Sequence, residues 1–214
     1  MILSDEGIRR ALSEGLIEID PVPVSEQYST SAVDIVLGAA STFRCWNLGA
    51  LNAPGVDVTL NLSEQNYGLT AKHYSIPVQA ENDGTIVLPP YRRVCQVMLC
   101  QTRERVYLKP ESLLAARVEG KSSLARLGLM VHMTAPTIHA GFNATITLEM
   151  VNHGPFSLKL VPLKTRICQF IFERLETEPR AQISTQFQGQ TSPEGRGPDS
   201  CQPAQDSSVL IRRP

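Results

Sequence analysis

Short apolar runs broken by Pro, Gly and Asn follow one another between residues 33 and 172, and this pattern limits the fold more than any other feature. In residues 145–150 apolar and polar side chains alternate, which is typical of a strand with one buried face. Residues 166–172 are almost continuously apolar and predict a buried strand. Further strands are predicted at 33–37, 85–88, 93–99 and 105–108.

Helices are predicted to be few and short. Ser4 is a candidate N-cap, because Asp5 and Glu6 would then lie in the first turn, where the helix dipole favours negative charge. Gly15 is the candidate end of this helix. A second helix is predicted at 110–114, since proline fits the first helical position. Many short strands with few helices indicate a mainly β fold, a distorted β-barrel or jelly-roll-like domain.

The bulk composition predicts a globular domain in the cytoplasm. The chain has 214 residues, of which 42% are hydrophobic, enough for a substantial core. A formal net charge of −1 gives no general attraction to nucleic acid or to an anionic membrane. No apolar stretch is long enough to cross a bilayer, and the N-terminus lacks the features of a signal peptide. Five irregularly spaced cysteines fit reduced thiols better than a disulfide framework.

The C-terminal end differs in composition from the rest of the chain. From about Thr191 the residues are mostly Ser, Pro, Gly, Gln and Asp, which cannot bury enough apolar surface to order a segment. We therefore expect one domain over residues 1–191 and a disordered tail over residues 192–214.

Two familiar catalytic motifs are absent from the sequence. Residues 119–122 resemble the end of a phosphate-binding P-loop, but that motif needs a glycine where Ala115 stands. A zinc-dependent deaminase needs His-x-Glu and Pro-Cys-x-x-Cys, and neither pattern occurs. No catalytic metal is therefore expected, and a water nucleophile would have to be activated by a side chain.

Two features of residues 118–152 could form a site. Gly120 and Lys121 precede a predicted short helix that ends at Gly128, and free N–H groups beside a lysine suit a phosphate; an ordinary capped turn is the alternative. Glu149 stands in the alternating strand. A strand glutamate is most often a solvated residue on the outer face, so the pattern alone leaves its role open.

The string Gly-Lys-Ser-Ser-Leu-Ala-Arg-Leu-Gly at 120–128, with Thr134-Ala135 and Ile-Thr-Leu-Glu at 146–149, resembles the dCTP deaminase branch of the dUTPase-like superfamily. The opening Ile-Leu-Ser-Asp, Ala-Val-Asp at 32–34 and Arg-Ile-Cys-Gln at 166–169 also match, and Phe-Gln-Gly-Gln at 187–190 resembles the C-terminal lid of the family. The resemblance extends over roughly residues 1–191. It implies the dUTPase-type fold and a hydrolase that acts on the C–N bond of a cyclic amidine.

The resemblance also implies the partners of the protein. These are a deoxycytidine nucleotide as substrate, Mg²⁺ bound through its triphosphate, and a homotrimer with active sites between subunits. dTTP is a candidate inhibitor. Neither nucleic acid nor a membrane is expected as a partner.

The resemblance assigns roles to individual residues. Glu149 would be the general acid and base, Ser122 and the carbonyl group of Ala135 would position the water, and Arg126 would hold Glu149. Phe142 would pack on the sugar and crowd out a ribose 2′-hydroxyl group. The remaining substrate-binding residues that the resemblance implies are Lys121, Ser122, Ser123, Leu124, Ala125, Arg126, Thr134, His139, Thr147, Leu148, Gln169, Gln186 and Gln190.

Some positions depart from the family pattern. His139 stands where the family has an aspartate near the sugar, and a neutral loop histidine is the alternative interpretation. Gln186 and Phe187 stand where the lid normally has Lys-Tyr, so one cation and one hydroxyl group for the phosphates are lost. A modified or less phosphorylated deoxycytidine nucleotide is therefore an alternative substrate.

Three hypotheses follow. The first is deamination of dCTP to dUTP, within the metabolism of pyrimidine deoxynucleotides. The second is a bifunctional enzyme that also hydrolyses dUTP to dUMP, against which His139 argues. The third is a non-catalytic nucleotide-binding protein, suggested by the altered lid.

Overall fold

The structure is a computed structural model that describes residues 1–63, 67–94, 97–181, 187–190, 192–195 and 211–212. Its α-helices are α1 (Asp5–Ser13), α2 (Leu48–Leu51), α3 (Tyr67–Tyr74), α4 (Tyr91–Val94) and α5 (Ser122–Ala125), and its 3₁₀ helices are Ser25–Gln27, Ala40–Thr42 and Pro110–Ser112. Its strands are β1 (Ile17–Asp20), β2 (Tyr28–Ser29), β3 (Ala32–Val36), β4 (Arg44–Trp46), β5 (Asp57–Val58), β6 (Ser75–Pro77), β7 (Ile86–Leu88), β8 (Met98–Leu108), β9 (Leu114–Gly120), β10 (Leu129–Met130), β11 (Thr137–Ile138), β12 (Asn143–Asn152), β13 (Leu158–Leu160), β14 (Arg166–Arg174) and β15 (Ile211–Arg212).

Two antiparallel sheets contain most of the strands. One has the order β10-β12-β8-β4-β6, with β1 also paired to β8; the other has the order β11-β9-β14-β3-β2. Two-stranded ribbons are formed by β13 with β7 and by β15 with β5. The prediction of a mainly β, jelly-roll-like fold with a few short helices is confirmed, although over the described residues neither sheet closes into a barrel.

Side chains from both sheets enter one hydrophobic cluster. Alternate residues of β8 and β12 point into it, as the two-residue period of a strand requires. The largest side chains that are fully buried are Phe43, Phe170, Phe172, Ile8, Ile17, Ile35, Leu37, Ile86, Leu108, Leu114, Leu148 and Met150.

The structure confirms the predicted boundaries of the first helix. The hydroxyl group of Ser4 accepts a hydrogen bond of 3.2 Å from the backbone N–H group of Gly7, and Ile8 and Ala11 are buried. The left-handed φ of 67° at Gly15 follows the end of α1. None of the helices that the structure describes has the length and apolar character that a membrane crossing requires.

The second predicted helix, at 110–114, is wrong in part. Pro110–Ser112 forms a 3₁₀ turn, but Leu113 adopts a left-handed φ of 54° and β9 begins at Leu114. The hydroxyl group of Ser112 accepts a hydrogen bond of 3.2 Å from the N–H group of Leu114. In a longer helix the N–H group of Leu114 would bond to a backbone carbonyl group. Here the hydroxyl group of Ser112 takes that place, which favours a turn and ends the helix.

The strand predicted at 93–99 is wrong in part, whereas the strand predicted at 105–108 is confirmed as the end of a longer strand. Arg93 and Val94 lie in α4, whereas Met98–Leu108 is one continuous strand, β8. The sequence suggested a break because residues 101–104 are polar, yet three of these side chains are buried. The side chains of Thr102 and Glu104 find hydrogen-bond partners inside the fold, so their polarity does not bring the strand to the surface.

Glu104 is the most deeply buried of these side chains, with an exposed fraction of 0%. Its carboxylate accepts hydrogen bonds from the N–H group of Val36 (2.9 Å) and from Nε2 of Gln27 (3.3 Å), and it forms an ion pair with Arg103. A buried carboxylate is tolerated when donors surround it in this way. Glu104 therefore ties β8 to β3 and to the segment that precedes β3.

We expect Glu104→Gln to lower the free energy of unfolding by about 2 kcal/mol, because the amide loses the charge and turns an NH₂ group towards donors. Urea denaturation measures the change. Glu18→Gln is the matched control, since Glu18 is exposed and only 3.8 Å from Lys109, a pair of little energetic value. Equal destabilisation by the two substitutions would contradict this role for Glu104.

Candidate active site

A cavity of about 520 Å³ opens beside the middle of β12. One wall comes from β12 and the loop before it, a second from β4, β8 and the segment between them, and a third from Phe187, Gln190 and Pro193 near the C-terminus. The lining residues are Trp46, Tyr67, Val97, Leu99, Val118, Met133, Ala135, Pro136, Thr137, Ile138, His139, Phe142, Ile146, Thr147, Glu149, Phe187, Gln190 and Pro193.

Glu149 is the carboxylate in this cavity. Its neighbours Leu148 and Met150 are fully buried in the core, so the alternation of the strand turns Glu149 to the opposite face. The carboxylate is half-buried and accepts hydrogen bonds from its own N–H group and from that of Met133. Glu149 is therefore not the solvated outer-face residue that the strand pattern alone allowed.

Burial raises the pKa of Glu149 above its ordinary value, while the two backbone hydrogen bonds and nearby His132 act in the opposite direction. A raised pKa makes the carboxylate a stronger base, which suits it to take a proton from water.

This shift predicts a pH-dependent effect of Glu149→Gln on stability. Between the ordinary and the raised pKa the folded protein binds the extra proton, so its stability falls as the pH rises through that window. The neutral amide escapes this loss, and we expect the variant to resist urea better than the parent protein near neutral pH. The gain should disappear below the ordinary pKa of glutamate. An equal gain in stability near neutral pH and below the ordinary pKa of glutamate would contradict the raised pKa of Glu149.

A β-bulge shapes the floor of the cavity. The register between β12 and β8 shifts between Thr145 and Thr147, and the N–H group of Ile146 donates to the hydroxyl group of Thr102 at 3.0 Å instead of to the ladder. Ile146 was predicted to share the buried face of Leu148. The bulge interrupts the alternation, so Ile146 is only partly buried: it packs against the core and also lines the cavity.

Six of the predicted site residues line this cavity: Ala135, His139, Phe142, Thr147, Glu149 and Gln190. Two of them carry buried polar atoms without a hydrogen-bond partner among the described residues, namely Oγ1 of Thr147 and Oε1 of Gln190. An unpaired buried polar atom is costly, so these two atoms mark places where a polar ligand would be favourable.

The other predicted site residues do not line this cavity. Ser122, Ser123 and Arg126 are exposed on and after α5, and Leu148 belongs to the core. Lys121 forms an ion pair with Asp34, whose carboxylate also accepts a hydrogen bond of 3.0 Å from Nε2 of Gln169. Leu124, Ala125 and Thr134 also lie away from the lining, and Gln186 is outside the described residues.

Sequence reasoning missed the aromatic wall of the cavity. Trp46 is the only tryptophan of the chain and Tyr67 begins α3, but nothing in their local sequence indicates a site. Burial, with the charges of Glu149 and Glu194 as smaller causes, raises the pKa of Tyr67 to about 12. The phenol is therefore neutral near pH 7 and acts as a hydrogen-bond donor, here to the carbonyl group of Pro193 at 2.9 Å.

Comparison with known proteins gives one consistent family. The family model described as dCTP deaminase-like matches residues 2–175. "dCTP deaminase, dUMP-forming" of Methanosphaera stadtmanae is 32% identical over 198 residues, covering 90% of this chain and 91% of that protein. "dCTP deaminase" of Rhodospirillum rubrum is 37% identical over 175 residues, covering 82% of this chain and 83% of that protein.

A solved structure supports the same fold. The 2′-deoxycytidine 5′-triphosphate deaminase of Agrobacterium tumefaciens superposes with a TM-score of 0.54 at 17% identity. The match covers 80% of this chain and 47% of that one, so this chain spans about half the length of the solved chain. With the family match over most of its length and relatives above 30% identity, the chain belongs to the dCTP deaminase family, whose members are hydrolytic deaminases acting on a C–N bond.

Proposed function

We propose that the protein hydrolyses the C4–amine bond of dCTP, with dUTP and ammonia as products. The observation that carries the proposal is the half-buried carboxylate of Glu149 in the cavity, with its pKa raised by burial. The unpaired polar atoms of Thr147 and Gln190 in the same lining support a polar ligand there.

In the proposed reaction Glu149 first acts as a base. It takes a proton from a water molecule while the oxygen of that water forms a bond to C4 of the cytosine. Glu149 delivers this proton to the ring nitrogen N3. It then takes the proton of the new C4 hydroxyl group and passes it to the amine, so that the C4–N bond breaks, ammonia leaves and C4 becomes a carbonyl group. The sum is dCTP plus water to dUTP plus ammonia. Ala135 lies in the same lining, and its carbonyl group would help to position the water.

The remaining catalytic and phosphate-binding roles require a second subunit in this proposal. Ser122 and Arg126 are exposed, and neither lines the cavity of their own chain. We propose a homotrimer in which α5 of one subunit completes the cavity of the next. There Ser122 would hold the water, Arg126 would hold Glu149, and Lys121 and Ser123 would meet phosphate oxygens. Gln169, which contacts Asp34 beside Lys121, would reach the nucleotide from the same neighbouring subunit.

Further expectations complete the proposal. Phe142 and His139, both in the lining, would lie at the sugar. Mg²⁺ would bind through the triphosphate; over the described ranges no three His, Cys, Asp or Glu side chains are grouped to hold a metal ion. dTTP remains a candidate inhibitor, and the cytoplasm is the proposed location.

The domain limits 1–191 and 192–214 stay a prediction, since most of the tail lies outside the described residues.

A second candidate function is the conversion of dCTP to dUMP, through hydrolysis of the dUTP that deamination forms. It is favoured by the names of relatives such as the Methanosphaera stadtmanae protein, "dCTP deaminase, dUMP-forming". Against it stands His139, which replaces the family aspartate near the sugar.

Chromatography of the products from dCTP and Mg²⁺ tests both functions. We expect dUTP to accumulate without pyrophosphate; dUMP with an equal amount of pyrophosphate would establish the second function instead. A parallel incubation that starts from dUTP shows whether the phosphate bond is cleaved independently. Failure to form any uracil nucleotide, from dCTP, less phosphorylated forms or 5-substituted forms, would overturn the proposal and favour a non-catalytic binding protein.

A further inference from the structure

The C-terminal residues 187–190 and 192–195, here called the lid segment, lie against the cavity of their own chain. Near its start, Nε2 of Gln188 donates to the carbonyl group of Gly141 at 2.7 Å, and Oε1 of Gln188 accepts from the N–H group of Asn143 at 3.2 Å. Nε2 of Gln190 donates to the carbonyl group of Thr145 at 2.8 Å. The start of the lid segment is thus bound along the edge of β12.

The far end of the lid segment is held by residues of a different part of the chain. Glu194 forms an ion pair with Arg44 of β4, and the carbonyl group of Pro193 accepts the hydrogen bond of Tyr67. The ring of Tyr67 also meets that of Phe187 edge-on, with centroids 5.6 Å apart. The lid segment is therefore fixed at both ends, and the side chains with which it lines the cavity belong to the attached residues or to their direct neighbours.

Arg44 is itself held in place. Its Nε donates to the hydroxyl group of Ser75 at 2.8 Å, and one terminal nitrogen donates to the carbonyl group of Ser75 at 2.9 Å. The side chains of Arg44 and Glu194 are only 20% and 23% exposed. A partly buried pair with one partner already fixed loses less entropy and is screened less than an ordinary surface pair.

Neither Arg44 nor Glu194 lines the cavity, but Phe187, Gln190 and Pro193 of the lid segment do. Their position over Glu149 depends on the two attachments. The attachment at Arg44 uses residues of the same chain alone and includes no contact with a nucleotide. A lid that is already closed binds its ligand more tightly than one that must first be ordered.

We propose that Arg44 is a positioning residue, which holds the lid segment over the cavity through its ion pair with Glu194. The expected effect on substrate binding rests on the proposed function, whereas the ion pair between Arg44 and Glu194 does not. The consequence for the reaction is specific: release of the ion pair lowers the fraction of closed lid, raises KM and leaves kcat nearly unchanged, because the bound state is closed in either case.

The single tryptophan gives a test that needs no nucleotide. Trp46 lines the cavity with Phe187 and Pro193, so opening of the lid segment exposes its indole ring to water. For Glu194→Gln without nucleotide we expect emission at longer wavelength and stronger quenching by acrylamide. Lys159→Gln is the matched control, because it removes an exposed ion pair with Asp83 outside the cavity and should leave both signals unchanged.

Kinetics with dCTP then test the positioning role. We expect Glu194→Gln to raise KM about fivefold, the upper range for an ion pair without a direct hydrogen bond, with kcat within about twofold. Arg44→Ala should give the same change and Arg44→Lys a smaller one, since lysine keeps the charge. Unchanged quenching of Trp46 in Glu194→Gln would overturn the attachment, and an unchanged KM would overturn the positioning role. If the parent protein binds no deoxycytidine nucleotide, the proposed function fails while the fluorescence result still decides the attachment.

Discussion

Glu149→Gln is expected to lower kcat for dCTP deamination about 10³-fold, within the range for the loss of a general acid–base group. The amide keeps the size of the side chain and one hydrogen-bond acceptor but cannot take a proton from water. The N–H groups of Met133 and residue 149 therefore keep an acceptor, and the cavity keeps its shape. The variant should bind dCTP with nearly the affinity of the parent protein.

Calorimetric titration with dCTP and a rate assay separate the two effects. Glu119→Gln is the matched control: Glu119 is also a strand glutamate, in β9, but it lies outside the cavity lining and 3.7 Å from Arg117. We expect Glu119→Gln to change the rate less than about twofold, as a surface substitution does. Retention of more than a tenth of the rate by Glu149→Gln would contradict the acid–base role.

Gly154→Ala is expected to lower the free energy of unfolding by about 3 kcal/mol, the upper range for an overpacked site. A Cβ atom at Gly154 would lie 1.9 Å from the carbonyl oxygen of Leu127, which is backbone and cannot rotate away. Gly128 is equally restricted, because a Cβ atom added there would lie 2.1 Å from the N atom of Gly154. The N–H group of His153 donates to the carbonyl group of Gly128 at 2.8 Å, so the two turns are in direct backbone contact.

Chemical denaturation of Gly154→Ala and Gly84→Ala measures this effect. Gly84 has a left-handed φ of 77°, but a methyl group added there would meet no described atom within 4 Å, so its substitution costs only about 1 kcal/mol of backbone strain. The contact at Gly154 fixes α5 relative to the end of β12, and its loss should also lower deaminase activity. Equal destabilisation by the two alanines would show that steric overlap at Gly154 is not the cause.

The parts of the fold that depend on near neighbours were predictable from the sequence. The cap at Ser4 and the alternation at residues 147–150 need only local pattern, and both are present. The polar stretch of β8 was not predictable, because Glu104 is compatible with the core only through Val36 and Gln27, which are distant in sequence. Local polarity indicated a break where tertiary hydrogen bonds allow a continuous strand.

The site also contains residues that the sequence predicted and residues that it could not predict. Glu149 was found through a resemblance carried by short motifs, whereas its strand pattern alone favoured a surface role. Trp46 and Tyr67 join the cavity through long-range packing, which no local pattern encodes. Lys121 was predicted to be a phosphate ligand, but its pairing with Asp34 depends on β3 lying two strands away from β9 across β14.

The most direct test of the central claim is the release of ammonia from dCTP by the purified protein beside Glu149→Gln, measured together with the uracil nucleotide formed. We predict one ammonia per uracil nucleotide from the parent protein and almost none from the variant, although both bind dCTP. Equal ammonia release by the two proteins would contradict the assignment of Glu149. Binding of dCTP without ammonia from either protein would contradict the deaminase itself.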